Sequence, residues 1–141
     1  MINSGIELDI KVPNQTKYLS LIGRIGEDIA HEIDRFSGDR ETLAYQLNLV
    51  LTEAMTNAIK YGDFDKKEEK VHILININEN ELFIRIFDYG QGFDINEIPA
   101  PDFETLDDRG RGIFLIKTLM DSVKYVRNAE SNVLEMVKQL V

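Results

Sequence analysis

Between Lys70 and Asp88 the chain alternates apolar and polar side chains twice, with three polar residues between the two stretches. Val71, Ile73, Ile75 and Ile77 fall on one side of a period of two, and Leu82, Ile84 and Ile86 do the same after Asn78-Glu79-Asn80. That period belongs to half-buried strands, and the short polar connection predicts an antiparallel hairpin. A hairpin with one apolar face needs a second layer to cover it. Residues 14–61 supply candidates. Tyr18, Ile22, Ile25, Ile29, Ile33 and Phe36 recur at helical spacing, predicting a helix capped by Asn14 and ending near Phe36. Leu43, Leu47, Val50, Leu51, Ala54 and Ala58 predict a second helix, with Asp39 as its cap and Gly62 as its stop.

The remaining elements obey the same rules. Ile6 to Val12 alternates and ends at Pro13, reading as a first strand. Asp63 to Lys70 is charged and reads as a solvated loop. After Asp88 the pattern fails for about twenty residues, a length that in compact domains is often functional. A helix restarts near Gly112 with Ile113, Ile116, Leu119 and Met120 apolar, and strands around Val123–Arg127 and Val133–Leu140 come after it. The order β-α-α-β-β-loop-α-β-β predicts an α/β (α+β) two-layer sandwich, a mainly antiparallel or mixed sheet with helices on one face. Phe83 and Phe87, opposite the Ile84/Ile86 face, read most simply as helix-packing core, or as an edge buried by a partner.

Composition narrows the function classes. The 141 residues carry 25 acids against 16 bases, net −9, which argues against a general nucleic-acid binder. Cysteine is absent, excluding disulfides, thiolate nucleophiles and cysteine metal sites, and fitting a reducing cytoplasm. No apolar run approaches a membrane span, and the N-terminus lacks the order of a signal peptide. Length favours one domain.

Three local patterns carry chemistry. Glu53-Ala54-Met55-Thr56-Asn57 projects a carboxylate and an amide from one helix face, beside the apolar stripe. Alone it would read as a buried hydrogen-bonded pair. Asp88-Tyr89-Gly90-Gln91-Gly92 comes directly after an apolar strand, pairing an acceptor with glycines that let the backbone approach a flat ligand. Alone it is a strand-ending turn. Arg109-Gly110-Arg111-Gly112 opens a helix, where exposed backbone N–H groups can cradle phosphate. Alone it is a glycine-rich helix entry. Their order, each at the edge of the right element, is specific.

With these residues in place the sequence resembles the GHKL (Bergerat-fold) ATP-binding superfamily, and within it the stand-alone anti-sigma factor serine/threonine kinases. Leu51–Ala58 resembles the family's N-box, Asp88–Asp94 its G1 box and Gly110–Leu115 its G2 box. Leu119-Met120-Asp121 resembles the family's sequence beyond the G2 box, so the likeness covers almost the whole chain. It implies ATP and Mg²⁺ as cofactors, Asn57 as the Mg²⁺ ligand and Glu53 as general base. Asp88 would accept a hydrogen bond from the adenine amino group, and Gly90 and Gly92 would let the backbone pass close to the base. Gly110 and Gly112 would offer amides to phosphate, with Arg109 or Arg111 neutralising its charge. Residues 93–109 would form an ATP lid, and they hold six acids against one base, −5 of the −9. The implied partners are a sigma factor and a small anti-anti-sigma (STAS-type) protein, with the chain a cytoplasmic homodimer. Two rival readings share the nucleotide site: a nucleotide-gated binding module with little kinase activity, and a detached histidine-kinase-type catalytic domain.

Two departures stand out. Lys60-Tyr61 replaces a histidine common near the end of the N-box helix. Members often carry a Gly-Thr pair before the terminal strand whose threonine joins the adenine–aspartate network, where this chain has Ser131-Asn132 nearby, so that another polar group would have to replace that threonine. His31-Glu32 resembles a phosphoacceptor pair, but the chain lacks the dimerisation domain that would go with one. His72 has no second histidine or cysteine near it in sequence for a transition-metal site, and Lys66–Lys70 mixes bases with Glu68 and Glu69 as solvated loops do.

Overall fold

A computed structural model describes residues 5–61, 70–88, 111–128 and 131–141. The elements are β1 (Ile6–Pro13), a 3-10 turn (Thr16–Tyr18), α1 (Leu19–Glu32), α2 (Arg40–Tyr61), β2 (Lys70–Ile77), β3 (Glu81–Asp88), α3 (Arg111–Leu119), β4 (Ser122–Arg127) and β5 (Asn132–Gln139). The strands form one sheet in the order β1-β2-β3-β5-β4, every pair antiparallel. The hairpin register sets Ile75 opposite Ile84 and Ile77 opposite Leu82. Asn78 closes its turn, its side-chain oxygen accepting from the N–H groups of Asn80 (2.8 Å) and Glu81 (2.9 Å).

Helices cover the Ile84/Ile86 side. α2 lies over β2 and β3 and against both α1 and α3, and Leu43, Leu47, Leu51 and Met55 are fully buried there with Ile73, Ile75, Leu82, Ile84, Ile86 and Met136. The close approach of α1 to α2 depends on two glycines. A Cβ on Gly26 would stand 2.8 Å from the Leu47 carbonyl oxygen, and one on Gly23 would stand 2.9 Å from the Asn48 amide and Thr52 hydroxyl. Along the same seam Asn48 Nδ2 donates to Glu27 (2.8 Å). No described helix is long and apolar enough to cross a membrane.

α1 is shorter at both ends than its apolar spacing suggests. The Gln15 N–H donates to the Pro13 carbonyl (2.7 Å), so the chain turns tightly after β1 and passes through the 3-10 turn before α1 starts. Tyr18 therefore occupies the cap position, and the Asn14 side-chain oxygen is buried without a hydrogen bond among the described residues. At the other end Ile33 is extended (φ −64°, ψ 144°). The Arg40 guanidinium takes over the open carbonyls, donating to Ile33 (2.6 Å), Ala30 (3.2 Å) and Asp34 (3.2 Å), and its positive charge suits the negative end of the helix dipole. Ile33 is nevertheless buried and Phe36 packs on the core. The spacing reported burial beyond the helix itself.

The reading of Phe83 and Phe87 as helix-packing core is overturned. Alternation sends them to the sheet face away from the helices, with His72 stacked on Phe87 (5.1 Å between centroids) and Arg85 over Phe83 (4.6 Å). His72 also meets Asp9 at 2.7 Å. Gly62 and the charged loop as far as Glu69 lie outside the described residues.

Asp39 does cap α2. Its carboxylate accepts from the Thr42 hydroxyl (2.7 Å) and the Thr42 N–H (3.0 Å), and these bonds hold it below the ordinary aspartate range. A lowered folded-state value means its stabilisation is complete above the unfolded value, about 3.9, and fades as pH falls through the folded one. Thermal melts of Asp39→Ala should therefore show a deficit against wild type at about pH 7 that narrows at about pH 3. Gly26→Ala gains about 1 kcal/mol of helix propensity but forces a methyl group onto a fixed backbone carbonyl, where overpacking costs about 1–3 kcal/mol. Urea unfolding should show the variant less stable than wild type.

Candidate functional site

Period two continues to the end of β3. Leu82, Ile84 and Ile86 face the helices, and so does the next residue in the row, Asp88, which is only 5% exposed. A carboxylate placed there is costly unless hydrogen bonds replace its lost water. The register supplies them. Asp88 stands opposite Asn132 on β5, which is 2% exposed, and the Asn132 Nδ2 donates to Asp88 Oδ1 at 2.8 Å. Tyr125 lies on the same face of β4, and its hydroxyl donates to Asp88 Oδ2 at 3.0 Å. Each carboxylate oxygen thus has a donor from a different strand. Asn132, near where the resemblance sets a threonine, is one of them.

The second half of the site is on α2. Glu53 and Asn57 are half-buried and one helical turn apart. A Cβ on Gly112 would stand 2.6 Å from Glu53 Oε2, so the first turn of α3 lies directly on this carboxylate. Gly112 is what permits that approach. The Asn57 Nδ2 is buried with no hydrogen-bond partner among the described residues. Amide oxygen and nitrogen are told apart by their hydrogen-bond partners. Turned over, the group presents an unused oxygen, which fits a hard cation completing its shell with phosphate and water.

Of the residues singled out from sequence, Glu53, Asn57, Asp88 and Gly112 are described. Arg111 begins α3, its side chain outside the described residues, as are Gly90, Gly92, Arg109, Gly110 and the segment 93–109. Sequence reasoning missed Tyr125. Its signal was present: Val123, Tyr125 and Arg127 share one side of a period-two strand, and Tyr125 brings a polar tip next to the core-packing Val123.

Residues 13–138 match the model of the histidine kinase-like ATPase domain. The chain belongs to this family. Within it the chain is similar to Serine-protein kinase RsbW of Bacillus subtilis (strain 168), 27% identical over an alignment that spans 99% of this chain and 89% of the relative. The protein of the same name from Oceanobacillus iheyensis is 30% identical, spanning 83% of this chain and 77% of the relative. That of Bacillus velezensis is 25% identical, spanning 86% and 79%. The histidine kinase-like ATPase match runs from the end of β1 into β5 and so includes Glu53, Asn57, Asp88, Gly112, Tyr125 and Asn132.

Two substitutions at Asp88 separate charge from hydrogen bonding. In Asp88→Asn the amide oxygen keeps the Asn132 bond and its NH₂ can donate to a reoriented Tyr125 hydroxyl, so the loss should stay below about 1 kcal/mol. Asp88→Leu strands the buried Asn132 donor and should cost about 1–3 kcal/mol more, as read by urea unfolding without nucleotide.

Proposed function

We propose that this chain is an ATP- and Mg²⁺-dependent protein serine/threonine kinase that acts as an anti-sigma factor, binding a sigma factor and phosphorylating a small anti-anti-sigma (STAS-type) partner. The observation that carries the reading is the buried, doubly hydrogen-bonded Asp88 in a histidine kinase-like ATPase domain. The relatives named as serine-protein kinases support the choice of acceptor.

In this reading Asp88 accepts from the exocyclic amino group of adenine, which favours adenine over guanine. Gly90 and Gly92 let the backbone approach the base. Gly110 and Gly112 present amides, and Arg109 and Arg111 present charge, to the phosphates. Asn57 would hold Mg²⁺, which when bound supplies positive charge to the phosphate oxygens. Glu53 is the general base: it orients the partner's serine hydroxyl and receives its proton as the serine oxygen bonds to the γ-phosphorus. The bond from that phosphorus to the β,γ-bridging oxygen breaks, and ADP leaves. Segment 93–109 is the lid of a single domain. The chain works in the cytoplasm as a homodimer, and the half-buried Phe83 and Phe87 on the sheet face opposite the helices offer apolar surface for a second copy.

The test is transfer of acid-stable phosphate to a cognate anti-anti-sigma protein, with ATP binding monitored by calorimetry. Glu53→Gln should retain ATP and lose transfer by about 10²-fold or more. Gly112→Ala should keep its melting temperature, since its methyl group meets only the tip of a flexible side chain, yet lose transfer because that tip is Glu53. ATP binding without transfer by the wild type would instead favour a nucleotide-gated binding module. Acid-labile phosphate on the partner would indicate a histidine acceptor. Failure to bind ATP would end the reading.

A further inference from the structure

Resting on that adenine assignment, we propose that Tyr125 and Asn132 are the residues that set base specificity, acting as positioning residues that lock the plane of the Asp88 carboxylate. A carboxylate on a single donor can rotate about its Cβ–Cγ bond and satisfy whatever ligand arrives. This one is held at both ends: Oδ1 by Asn132 at 2.8 Å and Oδ2 by Tyr125 at 3.0 Å. A quarter turn of the plane would break both bonds at once. The donors are themselves fixed. Asn132 is 2% exposed and sits in strict register across from Asp88, so its amide has no alternative in solvent. Tyr125 packs its half-buried ring against the core while its hydroxyl reaches Asp88. Locking converts an adaptable acceptor into a directional one. The carboxylate's lone pairs then keep fixed directions, rewarding an amino group at position 6 of a purine and opposing a carbonyl there, because the carboxylate cannot turn aside.

The device predicts an effect on discrimination rather than on nucleotide binding as such. The probes are ATP, GTP and purine riboside 5′-triphosphate, which carries hydrogen at position 6. All three share the ribose and triphosphate. Calorimetric titration of the whole chain with Mg²⁺ should show wild type preferring ATP to both others. In Tyr125→Phe the ATP preference over purine riboside triphosphate should shrink by about three- to tenfold, with affinity for the latter changed by less than about twofold. Asn132 provides an independent arm through an isosteric pair. Asn132→Thr keeps a donor and should keep more of the preference than Asn132→Val, which has the same shape and no hydroxyl. Equal weakening of ATP and purine riboside triphosphate in these variants would assign both residues a merely structural role and overturn the proposal, as would an undiminished ATP preference. A wild type that binds ATP and purine riboside triphosphate equally would overturn the adenine assignment of Asp88 itself, and the proposal with it.

Discussion

One acidic side chain on the core-facing side of a strand organises this molecule. In β3 the row Leu82, Ile84, Ile86 leads into Asp88 without a change of face, so the pleat that builds the core also drives a carboxylate under the helices. Desolvation there has to be offset by hydrogen bonds. The donors come from β4 and β5, which fixes what those strands must carry at positions 125 and 132 and the register in which they pair. An alternative register of β5 by one residue would turn Asn132 to the open face and break its bond to Asp88. The site and the sheet therefore stabilise the same arrangement.

The helical layer positions the other half of the site by close approach. Gly26 lets α1 sit against the backbone of α2 at Leu47, and Gly112 lets α3 sit against Glu53 from the other side. α2 is thus gripped between two helices while its lower face rests on β2 and β3. Glu53 and Asn57 project from a helix that has little room to slide. Precision at two side chains is obtained from three glycine contacts, at Gly23, Gly26 and Gly112, and an apolar stripe.

Much of this could be read from residue order, because local rules decide local features. Alternation located β1, β2 and β3, Asp39 announced the start of α2, and the Asn78-Glu79-Asn80 segment announced the hairpin. What escaped was decided by neighbours distant in sequence. Ile33 and Phe36 keep helical spacing because Ile33 remains buried and Phe36 still packs on the core, although α1 has already ended under the Arg40 guanidinium. Phe83 and Phe87 were misplaced because alternation defines two faces without saying which one the helices will choose. Tyr125 went unnoticed because its bond spans 37 residues and depends on a strand order, β3-β5-β4, that no single segment encodes.

That strand order also has a temporal side. β4 emerges from the ribosome before β5, yet among the described strands its neighbour in the sheet is β5 alone. Until residues 132–139 are made, β4 has no ladder to join and neither Asn132 nor a seated Tyr125 can serve Asp88. The amino-terminal helices and the β2–β3 hairpin can gather their apolar surface earlier, from contacts close in sequence. The wall that carries Asp88, Tyr125 and Asn132 is complete only when β5 lies between its two neighbours. A nascent chain therefore lacks both of these donors to Asp88 until β5 has been translated.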